Sequence, residues 1–242
     1  MTDIFLDTAN LEEIKEIKGW GIIQGVTTNQ KIFLKEKGCN FKVRALEILE
    51  EVYPFPVSLE GPNDYDGIMK VAKDYHLWED SNGNSYSNIV IKVPMLGNGD
   101  GIRAVTDLYE KGIRTNVTAC MSLNQTFLAA SAGATFVSLF YNRMIDWYNS
   151  KYSGNKGKQY ALETIAHTMS MLDSGDFNTE LIVGSIRKPE DIQDIITVQP
   201  DIITIPTKIL KEMSYNSMTE ETLKQFEEAW EEFKKHEKKS WP

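Results

Sequence analysis

Cysteine is scarce in this chain: Cys39 and Cys120 are the two present among 242 residues. Their separation matches no metal-ligand spacing, so a thiolate metal site and a disulfide framework are both set aside. Two free thiols in a reducing compartment are expected instead. Long hydrophobic runs are missing as well. No stretch reaches the length of a membrane-spanning helix, and the start Met1-Thr-Asp lacks the pattern of a signal peptide, so a cytoplasmic location is expected. Positive charge is in deficit. The net charge is −9, and the basic pairs Lys234-Lys235 and Lys238-Lys239 sit together only in the tail. That balance argues against nucleic acid or an anionic membrane as the main partner, while leaving room for a basic pocket inside an acidic shell. There is no internal repeat. A Gly-rich phosphate loop after the first strand is also lacking, since that strand ends in Leu6-Asp-Thr-Ala-Asn10.

What remains is ordinary globular material, 41% hydrophobic and 25% charged. Its length suits one large domain or two small ones. Apolar stretches with β character are expected at residues 3–8, 21–29, 55–61, 88–95, 114–119, 135–140, 180–185 and 201–205. Tyr141-Asn-Arg143 is read as a continuation of the sixth. Between these stretches lie helical patterns, such as Leu11, Ile14 and Ile17 behind the capping residue Asn10. Two polar stretches, Trp78–Ser87 and Asn149–Lys158, read as loops. A last helix is expected over residues 219–236, with its cap at Thr219 to Thr222 and with Leu223, Phe226, Trp230 and Phe233 on one face. Eight strands each followed by a helix, without a linker, predict an α/β fold: a single (β/α)8 TIM barrel domain over residues 1–242 with an extra C-terminal helix. A doubly wound open sheet is the alternative.

One residue breaks the pattern. Asn88-Ile-Val-Ile-Lys-Val-Pro-Met95 reads as a buried strand, yet it carries Lys92. An ammonium group is rarely buried without a partner. Either Lys92 sends its head to water along the strand end, or it is a desolvated amine able to attack carbonyls. A barrel keeps its chemistry at the C-terminal ends of its strands. Those ends carry Asp7, the cluster Thr27-Thr28-Asn29, Glu60, Lys92, Asn116 with Thr118, Ser138 and Ser185. Each has a plain structural use as a cap, a turn residue or a small filler. Together, a lysine among two carboxylates supplies what Schiff-base chemistry needs: a nucleophile, a proton shuttle and a second base. Enclosure favours the neutral amine and the carboxylates favour the ammonium, so the sign of the net shift stays open. Arg143 and Arg187, each just past a strand, suit either a phosphate clamp or surface ion pairs.

The motifs LDTAN, GVTTN, IVIKVPM, TNVTACMS, SLFYNR and GSIRKPED resemble, in this order, those of the small transaldolases and the related fructose-6-phosphate aldolases. The resemblance covers nearly the whole chain. It implies that Lys92 forms a Schiff base with a ketose phosphate and that neither metal nor cofactor takes part. By the same match Asp7 is the acid/base at the C4 hydroxyl. Thr27, Asn29 and Asn116 lie against the substrate, with both Asn orienting hydroxyls, and Thr118 with Glu60 handles the catalytic water. Ser138 and Phe140 contact substrate, and Arg143, Ser185 and Arg187 hold the phosphate. Glu60, where the aldolases carry Gln, and Phe140, where they carry Tyr, point to transfer of a dihydroxyacetone unit. The alternatives are release of free dihydroxyacetone and a catalytically silent sugar-phosphate-binding barrel. Gln30-Lys31 depart from the Pro-Ser that usually follows the TTN cluster. Family resemblance also implies a homo-oligomer, pentamer or decamer, with the C-terminal helix lying on a neighbour. Packing on its own barrel would use the same apolar face.

Overall fold

The computed structural model describes residues 2–80 and 82–236. Met1, Ser81 and residues 237–242, the pair Lys238-Lys239 among them, lie outside the described residues. The first half of the chain runs β1 (Asp3–Asp7), α1 (Leu11–Lys18), β2 (Ile23–Thr27), α2 (Gln30–Phe33), α3 (Phe41–Val52), β3 (Val57–Glu60) and α4 (Tyr65–His76). It continues through β4 (Ile89–Pro94), α5 (Asp100–Tyr109), β5 (Thr115–Cys120), α6 (Leu123–Ser131), β6 (Phe136–Phe140), α7 (Tyr141–Lys151) and α8 (Gly157–Ser174). Then come β7 (Glu180–Gly184), α9 (Pro189–Ile195), a 3-10 turn (Ile196–Val198), β8 (Ile202–Ile205), α10 (Thr207–Ser214) and α11 (Ser217–His236).

The eight strands close into one parallel barrel in sequence order, β8 pairing back onto β1. Period-two alternation sorts the side chains. Leu6, Val26, Leu59, Ile91, Val93, Val117, Leu139, Val183 and Ile203 point outward into the core under the helices. The inward set stacks in layers. Phe5, Val90, Phe136, Ile182 and Ile202 form a separate apolar plug inside the barrel, with Phe5 and Phe136 edge to face at 6.0 Å. Glycine at position 25 makes room for that plug: a Cβ there would stand 2.6 Å from the Phe5 ring. Two residues further along the same strands, the inward positions turn polar: Asp7, Thr27, Lys92 and Ser138, with Thr204 on β8. The barrel is therefore dry below and polar at its C-terminal mouth. Caps fit their residue types, with Asn10, Asn40, Asp64 and Ser122 each accepting a backbone N–H at the start of α1, α3, α4 and α6.

The structure corrects five local expectations. Tyr141-Asn-Arg143 does not extend β6 but forms the first turn of α7; aromatic residues mimic strand composition, and here Tyr141 fills a helix–barrel contact while 1% exposed. The polar loop before α8 shrinks to residues 152–156, because Tyr148 packs tilted against Tyr152 and stacked on Tyr160, at 4.8 Å each, and helix continues up to that cluster. Strand β7 stops at Gly184, so Ser185 lies beyond it. Helix α11 starts at Ser217 rather than Thr219, because Asn216 Oδ1 accepts from Met218 N and Thr219 N. The segment from Trp78 is only partly loop: Trp78 is buried against Tyr75, and Glu79 bridges Ser85.

Candidate active site

Lys92 sits in the middle of the barrel wall, 6% exposed. Its backbone is in register with Glu60 on β3 and Asn116 on β5. The Nζ atom donates to the Thr28 carbonyl at 2.9 Å, not to a carboxylate. Thr28 is itself held by a hydrogen bond from its Oγ1 to the Ser58 carbonyl at 2.7 Å. Burial over the apolar plug pushes the Lys92 pKa down, against the opposing pull of the Asp7 and then the Glu60 charge. The shift left open by the sequence thus runs downward, the direction that favours the neutral amine. Asp7 and Glu60 move the other way. Each is raised by burial, with Lys92 opposing that shift in both, and a hydrogen bond from Gln30 also opposing it at Glu60.

A pocket of about 170 Å³ gathers Asp7, Thr27, Asn29, Lys92, Ser138, Phe140, Arg143, Gly184, Ser185 and Thr204. Eight of the expected site residues meet there. Thr27 Oγ1 donates to Asp7 Oδ1 at 2.8 Å and also meets the Thr204 hydroxyl. Asn116 is buried on the inner face but does not line the pocket: its Oδ1 accepts from Ser138 Oγ at 2.7 Å, and its Nδ2 donates to Ser58 Oγ at 3.0 Å. Thr118 is buried with its hydroxyl unpartnered among the described residues. It follows Val117 in the stretch where β5 slips register and precedes Ala119, whose φ is 61°. Glu60 lines a neighbouring cleft of about 570 Å³ with Asn29, Gln30 and Cys39. Gln30 Nε2 donates to the Gly61 carbonyl at 2.8 Å.

The basic end lies on the other side. Arg143 stands over Phe140, 5.7 Å from the ring centroid. Ser185 adopts the left-handed conformation, φ 65°, a strained setting for a residue with a Cβ and one typical of functional turns. The turn is held by buried Asp191, whose Oδ2 accepts from Arg187 N at 2.9 Å, Lys188 N at 3.2 Å and Asn142 Nδ2 at 2.6 Å. Asn142 also donates to the Ser185 carbonyl at 2.8 Å. Arg187 is not in the lysine pocket. It lines an adjoining cleft of about 1010 Å³ that shares Arg143 and Ser185 with that pocket, and its guanidinium is engaged by Asp146. Sequence reading passed over Ser58, Thr204, Asn142 and Asp191. For Ser58 and Thr204 the signal is present, as each is an inward polar residue in an apolar strand. Among the described residues no group of three or more His, Cys, Asp or Glu side chains is placed to hold a metal ion.

The chain matches, over residues 4–241, the family described as Transaldolase/Fructose-6-phosphate aldolase. It belongs to that family. A "Probable transaldolase" of Kosmotoga olearia is 37% identical over 96% of this chain and 97% of its own length. One of the same description from Carboxydothermus hydrogenoformans is 38% identical, covering 96% of this chain and 100% of that one. Among solved structures, a "putative fructose-1,6-biphosphate aldolase" from Coccidioides immitis aligns with a TM-score of 0.53 at 12% identity, over 85% of this chain and 73% of that one. That likeness speaks for the barrel fold alone. Membership of the transaldolase/fructose-6-phosphate aldolase family makes the chain an aldolase- or transaldolase-type enzyme, and family enzymes of this kind act on sugar phosphates.

Proposed function

We propose that the protein is a transaldolase. It moves a dihydroxyacetone unit between sedoheptulose 7-phosphate and glyceraldehyde 3-phosphate, giving erythrose 4-phosphate and fructose 6-phosphate in the non-oxidative pentose phosphate pathway. The observation that carries this reading is Lys92: a buried amine with a depressed pKa, flanked by two carboxylates at the mouth of a barrel. Neutral amine is the form that adds to a carbonyl. Lys92 Nζ attacks C2 of the ketose, and the carbinolamine loses water to give the Schiff base. Glu60 and Thr118 manage that water. Asp7 then takes the proton of the C4 hydroxyl, the C3–C4 bond breaks, and its electrons pass into the iminium to leave an enamine. The aldehyde departs, an acceptor aldehyde enters, and the enamine carbon attacks it while Asp7 returns the proton. Hydrolysis frees Lys92. A carboxylate whose pKa is raised by burial suits this exchange at neutral pH.

Asn29, Thr27 and Ser138 border the three-carbon unit in this reading, with Asn116 acting through Ser138. Arg143, Ser185 and Arg187 take the phosphate. Phe140 presents no hydroxyl to the pocket and Glu60 is a carboxylate, and both features favour holding the enamine for an acceptor over releasing free dihydroxyacetone. We place the reaction in one barrel domain of a cytoplasmic homo-oligomer. The test is borohydride trapping with fructose 6-phosphate followed by peptide mapping. Label on Lys92 is expected, and Lys92→Met should abolish it. Label on another lysine, or none, rejects the mechanism, while free dihydroxyacetone released as fast as transfer would make the protein an aldolase.

A further inference from the structure

The outer cleft contains one charged group that the proposed reaction does not use. Asp146 lies one turn beyond Arg143 on α7 and faces the same cleft as Arg143, Ser185 and Arg187. Its carboxylate receives the Arg187 fork end on: Nη1 donates to Oδ1 at 3.2 Å and Nη2 to Oδ2 at 2.5 Å. Arg187 holds the Asp146 carboxyl below its ordinary pKa, and the charge of Arg143 adds to that effect. One carboxylate thus pairs with one guanidinium group and feels the charge of a second, and the cluster carries a net charge of +1 rather than +2.

We propose that Asp146 is a specificity-determining residue, a resident anion that competes with the substrate phosphate for the Arg187 fork and so limits affinity for the phosphorylated end. The proposal rests on the reading that this cleft takes the phosphate. A carboxylate and a phosphate offer a guanidinium the same two-oxygen edge. The carboxylate here is tethered to a helix, so its effective concentration at the fork is high. A phosphate that approaches must either displace it or bind Arg143 and Ser185 without the Arg187 fork, which the carboxylate keeps. Both routes weaken binding of ketose and aldehyde phosphates alike and hasten their release. As a stabilising contact the pair matters little, because its side chains are 52% and 58% exposed, and ion pairs so exposed contribute little to folding.

The experiment compares wild type, Asp146→Asn and Asp146→Glu. The readouts are KM for fructose 6-phosphate, KM for unphosphorylated fructose, and inhibition by inorganic phosphate. In Asp146→Asn, KM for fructose 6-phosphate and the phosphate inhibition constant should both fall roughly two- to five-fold, the range of an exposed ion pair. KM for fructose should not follow them. Asp146→Glu restores the charge and should lie closer to wild type. A phosphate inhibition constant that is unchanged or raised in Asp146→Asn overturns the proposal, and a rise would mean that Asp146 orients the fork instead. Arg187→Ala separates this outcome from failure of the parent reading. If wild type is inhibited by phosphate and Arg187→Ala is not, the cleft takes phosphate and only the role of Asp146 is in question. If phosphate does not inhibit wild type at all, both readings fall.

Discussion

At the scale of the residue, Lys92 is decided by what surrounds it. The Phe5, Val90, Phe136, Ile182 and Ile202 plug removes water from below, and the Thr28 carbonyl supplies one dipole where an ammonium wants several partners. Desolvation therefore outweighs the two carboxylates, and the pKa falls. The balance can be tested by removing one charge at a time. Asp7 and Glu60 each favour the ammonium, so neutralising either one should lower the Lys92 pKa further and move the acid limb of Schiff-base formation to lower pH. Asp7 is the stronger of the two influences. Asp7→Asn should accordingly shift the limb more than Glu60→Gln, as read from the pH dependence of the initial trapping rate by cyanoborohydride. An upward shift in either variant, or a larger one in Glu60→Gln, would show that the carboxylates are not what opposes desolvation. Overall turnover is the wrong observable here, because Asp7 is also the proposed base and its loss slows a later step.

At the scale of the element, a loop at a strand end can tune the carboxylate beside it. Gln30, where the resemblance implies a proline, opens α2 and ties it to the end of β3 through the Gly61 carbonyl. It also hydrogen-bonds Glu60, lowering the pKa of that carboxyl against the effect of burial. Gln30→Pro removes both amide bonds while keeping a residue suited to the first turn of a helix. The Glu60 pKa should then rise, and the limb of the transfer pH profile that needs Glu60 ionised should move to higher pH. An unchanged limb would mean that Glu60 is set by Lys92 and burial alone. The strands themselves were legible in the sequence because a barrel strand writes its own rule: outward residues apolar, inward residues apolar low and polar high. Lys92, Asp7, Thr27, Asn29 and Ser138 were found that way and meet in one pocket. Asn142 and Asp191 were not found, because their role is to hold the Ser185–Arg187 turn across two elements, and periodicity carries no sign of such a contact. A surface ion pair at Arg187 was one of the two readings open in the sequence, but its partner Asp146 was hidden for the same reason. The extent of α7 was misread where local composition, rich in Tyr and Trp, points to strand while tertiary packing selects helix.

At the scale of the whole molecule, α11 is the element the barrel does not explain. It is 20 residues long and contains no buried residue. Leu223, Phe226 and Phe233 are 53%, 65% and 48% exposed along one face, so the apolar stripe is not spent on the protein's own barrel, one of the two uses open to it. An amphipathic helix of this length has little reason to persist alone in water, since most helical stability in proteins comes from packing the apolar face. We therefore expect the stripe to be covered by a second copy of the chain in the proposed homo-oligomer. Burying a leucine or phenylalanine side chain contributes about 1.5–3 kcal/mol, and a closed ring repeats each contact at every subunit. Replacing Leu223 and Phe226 together by Glu should lower the sedimentation coefficient from that of an oligomer toward that of a 27.5 kDa monomer, while far-ultraviolet dichroism keeps the signal of the barrel. The paired substitution also adds charge to an interface of chains that each carry −9, so raising the salt concentration should recover part of the association by screening that repulsion. A wild-type protein that sediments as a monomer at micromolar concentration would remove the argument, and a double variant that stays fully assembled would place the contact on another surface.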